Sequence, residues 1–179
     1  MADIQIHDKV FTSFISREAI RQRIIELALE INIVYEGKKP LIIGILNGSF
    51  IFAADLFRAL IIEAEISFIK LASYKGTSST GHVITAIGME EDIHNRHVII
   101  VEDIIDTGNT LHAFLPELLH RRPATLKIAS FLTKPEALQH DIRADYVGFE
   151  IENKFVVGYG LDYNGLGRNL PELYILKDQ

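Results

Sequence analysis

Residues 98–111 read VIIVEDIIDTGNTL. Val98 to Val101 have the apolar composition of a strand buried on both faces. Two adjacent acids follow, Glu102 and Asp103, then Ile104-Ile105 and the small polar turn Asp106-Thr107-Gly108-Asn109-Thr110. The pattern predicts a strand over His97–Val101, an acidic turn, and a helix over Thr110–His120 that contains Pro116. Strand, turn and helix in that order make half of a βαβ unit. The turn leaves the carboxyl end of its strand, where sheets of this class place their ligands.

The same alternation extends outward on both sides. Ser16 can cap a helix that starts at Arg17. Ile20, Ile24, Leu27, Ile31 and Tyr35 then give it one apolar face, and Gly37 lies just past its end. Leu41–Leu46 reads as a buried strand, Asn47-Gly48-Ser49 as a turn, and Phe50–Leu60 as a helix with Asp55 and Arg58 toward solvent. Ala64–Leu71 and His82–Ile87 read as strands on either side of a polar loop, Lys75–Gly81, that lacks apolar anchors and is expected to be mobile. Leu126–Phe131, Tyr146–Ile151, Phe155–Val157 and Leu173–Leu176 complete the extended segments. Strands alternating with helices predict an α/β fold with a mostly parallel sheet. The terminal segments fall outside the alternation and are expected to form a small cap over one sheet edge.

The chain has 179 residues, enough for one domain with a substantial core. Its net charge of −6 disfavours non-specific nucleic-acid binding. It contains no cysteine, which excludes disulfides, zinc–thiolate sites and thiol nucleophiles. No basic-then-apolar leader opens the sequence, and no apolar run approaches the ~20 residues of a membrane helix. A soluble, cytoplasmic protein is expected.

Carboxylates at a strand end can accept hydrogen bonds from the vicinal diol of a ribose. Thr107 to Thr110 offer backbone N–H groups and two hydroxyls at a helix N-terminus, a cradle for a phosphate dianion. Gly108 lets the backbone approach the anion closely. Together they suit a ribose 5-phosphate. An aspartic protease would need a β-rich fold and a second DTG loop. A phosphatase with an Asp nucleophile would carry two Asp residues one apart after its first strand. A purely structural acidic turn is the plain alternative. No GxGxxG follows a strand and no GxxxxGK[ST] occurs, so neither a dinucleotide fold nor a P-loop is supported.

VIIVEDIIDTGNTL resembles the phosphoribosyl-pyrophosphate (PRPP) signature of type I phosphoribosyltransferases. From about Ile42 onward the chain is similar, in order and spacing, to the hypoxanthine-guanine branch of that family. The resemblance implies a central, mostly parallel five-stranded sheet flanked by helices. Residues 1–179 would be one domain, with a core at about 17–150 and a hood built from about 1–16 plus 151–179. It implies Mg²⁺-dependent transfer of the 5-phosphoribosyl group from PRPP to N9 of hypoxanthine or guanine, giving the purine nucleoside monophosphate and pyrophosphate. Glu102 and Asp103 would bind the ribose, Asp106 would take the purine proton, and Asp106, Thr107, Gly108, Asn109 and Thr110 would hold the 5′-phosphate. Asn47, Gly48 and Arg168 would hold pyrophosphate; relatives often carry Lys where this chain has Asn47. Lys134 would meet the purine 6-oxo group, Phe155 would stack on the base, and the Val156 backbone would pair with its edge. Ser73-Tyr74 would begin a catalytic lid. Asp162 would bind one Mg²⁺, with a second near Glu102 and Asp103. Gly165-Leu166-Gly167 departs from the bulkier residues common before that arginine. A homodimer or homotetramer is implied. The alternatives are a PRPP-sensing nucleic-acid-binding regulator on the same fold and a xanthine-preferring transferase. No histidine is given a role.

Overall fold

The computed structural model describes residues 3–73, 83–88 and 90–177. Helix α1 (Arg17–Tyr35) starts where Ser16 Oγ accepts the Ala19 N–H at 3.2 Å. This is an N-cap contact that satisfies one of the orphan donors of the first turn. Its apolar stripe, Ile20, Ile24, Leu27, Ile31 and Tyr35, is buried as the spacing predicts. Helix α2 (Phe50–Ala59) lies beside it on the same sheet face.

The main sheet contains β3 (Leu41–Leu46), β4 (Glu65–Ser73), β5 (Val83–Ile87), β6 (His97–Ile105), β7 (Thr125–Thr133) and β8 (Tyr146–Glu150). Their order is β5-β4-β3-β6-β7-β8. Five of them run parallel, as the alternating pattern predicts, and β5 is an antiparallel edge partner of β4. Helix α3 (Asn109–His120) continues through Pro116, which is on its exposed side. The proline forfeits the bond to the His112 carbonyl, and a solvent-facing carbonyl can be satisfied by water.

Two cores sandwich the sheet. Ile42, Ile99, Val101 and Phe131 pack with α1 and α2 on one side. Ile43, Val98, Ile100 and Ile128 pack with Leu111, Phe114 and Leu118 of α3 on the other. The strand β6 thus alternates faces residue by residue.

β1 (Asp3–Ile6), β2 (Lys9–Ile15), β9 (Val156–Val157) and β10 (Leu173–Leu176) form a second, antiparallel sheet in the order β1-β2-β10-β9. Its small core joins Ile6, Phe11, Val157 and Tyr174. Both ends of the chain therefore build one hood.

One expectation changes at the acidic pair. The strand does not stop at Val101: β6 runs to Ile105 and stays paired with β7 through Ile105 opposite Thr133. Glu102 and Asp103 are strand residues rather than members of a turn. Ser73 closes β4; Tyr74, the loop at Lys75–Gly81, and His82 lie outside the described residues.

Candidate active site

Three strand ends and one hood loop converge. At the end of β3, Asn47 is exposed, Gly48 is buried, and Ser49 Oγ donates to the Ile45 carbonyl at 2.6 Å. The Leu46–Asn47 peptide is cis. Gly48 lies against the carboxylate of Asp103, where a Cβ would collide with it. On the other side the Gly48 carbonyl sits where a Cβ of Gly160 would be. Only glycine backbones allow this approach of sheet turn, acid and hood loop.

The hood loop is tightly folded on itself. Arg168 Nη1 donates to the Gly160 carbonyl at 2.7 Å, and Arg168 Nη2 pairs with Asp162 Oδ1 at 2.6 Å. The other Asp162 oxygen accepts the Gly165 N–H at 2.7 Å. Gly165 and Gly167 both adopt positive φ, a conformation that bulkier residues would strain. These glycines therefore shape the turn that presents Arg168.

Both acids of β6 titrate above the ordinary carboxylate range. Burial, reinforced by neighbouring Asp103, pushes the Glu102 carboxyl well above the usual range. Its Oε2 is buried with no hydrogen-bond partner. Burial also raises Asp103 to about 6, against the opposing pull of the Ile104 N–H and the Arg168 guanidinium. Asp103 Oδ1 accepts that Ile104 N–H at 2.8 Å.

Beyond the strand ends, Lys134 Nζ lies 3.1 Å from Asp106 Oδ2. Lys134 is buried and Asp106 half-exposed. Ile105 and Thr133 are opposite each other in the β6–β7 ladder, and the Lys134 N–H donates to the Ile105 carbonyl at 2.9 Å. The residues that follow those strands are thereby held side by side. The expected proton acceptor and the expected purine-facing lysine thus meet.

Gly108 caps α3 with φ 79°. Thr107 Oγ1 accepts the Asn109 N–H at 3.3 Å, and the Thr107 carbonyl accepts the Gln139 N–H at 3.0 Å. The side chain of Asn109 meets His140 Nε2 at 2.6 Å, and the His140 ring stacks on His112 at 3.9 Å. The histidine pair is a feature that spacing alone did not reveal: positions 112 and 140 come together only through the fold.

Phe155 is 44% exposed and touches Phe11 and Tyr163, with ring centroids 6.2 and 5.8 Å away. Its carbonyl accepts the Leu176 N–H at 2.9 Å. Val156 is buried within β9, and the segment before it is tied to the end of β7 by Ile151 N–H donating to the Thr133 carbonyl at 2.9 Å. A further contact, Tyr159 Oη donating to Asp55 at 2.7 Å, clamps the hood loop to α2, so Asp55 is not merely a solvent-facing acid. A groove of about 880 Å³ between α1, α2 and residues 169–171 lies behind that clamp and includes none of the strand-end residues above.

Among the described residues no three acids or histidines gather into a ready metal cage. No helix among them is long and apolar enough to cross a membrane.

A family model described as the phosphoribosyl transferase domain matches residues 13–164. The chain is 41% identical to the hypoxanthine-guanine phosphoribosyltransferase of Aquifex aeolicus (strain VF5), over 97% of this chain and 99% of that protein. It is 38% identical to the hypoxanthine-guanine-xanthine phosphoribosyltransferase of Tritrichomonas foetus, over 99% of this chain and 98% of the relative. A crystal structure of a hypoxanthine phosphoribosyltransferase from Staphylococcus aureus superposes with a TM-score of 0.88 at 40% identity, covering 93% of this chain and 91% of that one. The chain belongs to the type I phosphoribosyltransferase family, among its hypoxanthine-guanine members.

Proposed function

We propose that the chain salvages purines: it transfers the 5-phosphoribosyl group of PRPP to N9 of hypoxanthine or guanine, yielding the nucleoside monophosphate and pyrophosphate. The observation that carries this reading is the Asp106–Lys134 pair at the ends of adjacent parallel strands. A carboxylate and an ammonium 3.1 Å apart can address two neighbouring edges of one 6-oxopurine. Lys134 donates to the 6-oxo group while Asp106 accepts the proton on N7.

In the reaction the C1′–oxygen bond breaks and its electron pair leaves with pyrophosphate. The N9–C1′ bond forms, and the N7 proton passes to Asp106. The residues around the turn hold the reactants in line, which supplies much of the rate. Thr107 to Thr110 receive the 5′-phosphate at the N-terminus of α3. Asp103 and Glu102 take the ribose hydroxyls, and the unpartnered Glu102 Oε2 gains a donor when the sugar arrives. The Asn47-Gly48 turn and Arg168 bind pyrophosphate. Phe155 stacks on the base and the Val156 backbone meets its edge.

Mg²⁺ fits this set of oxygen donors. It keeps several waters and needs only one or two carboxylates beside the substrate's own oxygens, so a pre-built cage is not required. Asp162 would hold one ion, and Asp103 with Glu102 would support a second. When bound, the metal offsets the charge that builds on the leaving pyrophosphate. Arg168 and Asp162 neutralise each other meanwhile; pyrophosphate would draw the arginine away and free the carboxylate.

The chain is read as one domain, core and hood together, working in the cytoplasm as a homodimer or homotetramer; light scattering on the eluting protein tests the assembly. The activity is tested with PRPP, magnesium and each of hypoxanthine, guanine, xanthine and adenine in a spectrophotometric assay. Product is expected with hypoxanthine and guanine. Adenine presents a 6-amino donor to the Lys134 donor and should fail. Turnover of no purine at all would refute the reading.

A further inference from the structure

We propose that His140 is a positioning residue for the 5′-phosphate cradle, acting through Asn109. The inference rests on the reading of Thr107 to Thr110 as that cradle. The connection after β7 wraps the start of α3. Leu138 and Ile142 pack against Gly108, with side-chain atoms 3.6 and 3.5 Å from where its Cβ would be. The Gln139 N–H donates to the Thr107 carbonyl at 3.0 Å. His140 then reaches Asn109 Oδ1 with Nε2 at 2.6 Å.

The ring has little freedom there. It stacks on His112 at 3.9 Å with the planes 6° apart. His112 is three residues after Asn109 on α3, so both side chains occupy the same helix face. One fixes the plane of His140 and the other receives its hydrogen bond.

The chemical consequence concerns the Asn109 amide. An amide carries both a donor and an acceptor end. Facing a phosphate dianion, its carbonyl oxygen repels and its NH₂ attracts. A donor from His140 Nε2 occupies Oδ1 and leaves the NH₂ end for the anion. The neutral tautomer with hydrogen on Nε2 and the imidazolium can both make this bond. His140 thereby directs the donor end of the Asn109 amide, not its acceptor end, to the anion, without touching the substrate.

Calorimetry with inosine 5′-monophosphate and with magnesium pyrophosphate tests this on wild type, His140→Phe and His140→Gln. Phenylalanine keeps a ring for the stack but has no donor; glutamine keeps a donor. His140→Phe should weaken the monophosphate about tenfold, the scale of a hydrogen bond to a charged group, and leave pyrophosphate unchanged. His140→Gln should recover most of the loss. On an Asn109→Ala background His140→Phe should have no further effect, because the coupling partner is gone. Unchanged monophosphate affinity in His140→Phe, parallel weakening of both ligands, equal loss in both variants, or full additivity with Asn109→Ala each overturns the inference. If His140→Phe does not fold, His140→Ala, which like the Gln variant lacks the ring but has no donor, takes its place in the comparison with His140→Gln and in the Asn109→Ala cycle. Wild type that binds no purine monophosphate would bring down the proposed function as well. Wild type that binds it while His140→Phe binds equally well brings down only the role of His140.

Discussion

The main sheet and the hood sheet bring different kinds of surface to one site. The main sheet is parallel, buried on both faces, and delivers its residues from strand ends: Gly48, Asp103, Asp106 and Lys134. Its ladder fixes them to one another, as the pairing of Ile105 with Thr133 fixes Asp106 beside Lys134. The hood is antiparallel, small, and joined from the two termini. It delivers a half-exposed ring, Phe155, and a glycine-rich loop bearing Asp162 and Arg168. On the proposed function, the strand ends of the main sheet meet the sugar phosphate and the polar edge of the base, and the hood meets the face of the base and the pyrophosphate. Substitutions on the two sides should therefore fail in different ways.

The largest effect is expected at the sheet. Asp106→Asn should lower turnover by about 10²-fold or more, the range for a lost general base. PRPP affinity should persist, because the phosphate cradle is intact. Steady-state rates beside calorimetric PRPP binding check this, and unchanged turnover would remove Asp106 from the chemistry.

Next comes the buried acid of β6. A free aspartate titrates near 3.9, whereas Asp103 is raised to about 6. The folded state binds this proton more tightly than the unfolded chain does. Its stabilising contribution is full below about pH 4 and is lost as pH rises through about 6. Asp103→Asn removes the charge and should melt higher than wild type at pH 8, with no advantage at pH 4. Part of the group still meets solvent, so the gain is discounted to about 1–2 kcal/mol, or roughly 4 °C for a chain of this size. The same variant should bind PRPP more weakly. A melting gain that is equal at both pH values would show that Asp103 is not a strained acid.

On the hood side the effect is smaller and of another kind. Phe155→Leu keeps apolar bulk against Phe11 and Tyr163 but loses the ring. The KM for hypoxanthine should rise three- to tenfold, by about the worth of an aromatic stack, with the KM for PRPP unchanged. A matching rise in the PRPP constant would erase the division between the two sides.

The two sides also differ in how far they can be read from sequence. Leu41–Leu46 and the β6 run are continuous apolar stretches bounded by turn residues, and local pattern finds such strands. The hood strands β1 and β2 form a local hairpin, but β2 is also partnered by β10 near the opposite terminus, as Ile15 is by Leu173, and nothing local marks that second pairing. The acidic pair looks like a turn in the sequence because its side chains are polar. The ladder to β7 keeps that backbone extended. The Asp106–Lys134 contact is hidden for another reason. Both residues follow strands of neighbouring βα units, and adjacent parallel strands of similar length bring the next residues together. The His112–His140 stack has no such signal, since it depends on how residues 134–142 wrap α3.

Ser16 belongs to neither side and tests whether they are mechanically joined. It separates hood strand β2, which ends at Ile15, from α1, which starts at Arg17, and its hydroxyl caps the helix. Ser16→Ala removes one cap and should cost about 1 kcal/mol, a fall in Tm of about 2–4 °C. Ser16→Asp, which also caps, should restore it. If core and hood hold their relative positions through the Tyr159–Asp55 bond and the Gly48–Gly160 contact, neither variant will change the KM for hypoxanthine or for PRPP. If instead the β2–α1 junction sets the pose of the hood, Ser16→Ala will raise the hypoxanthine constant, because Phe155 packs on Phe11 of β2.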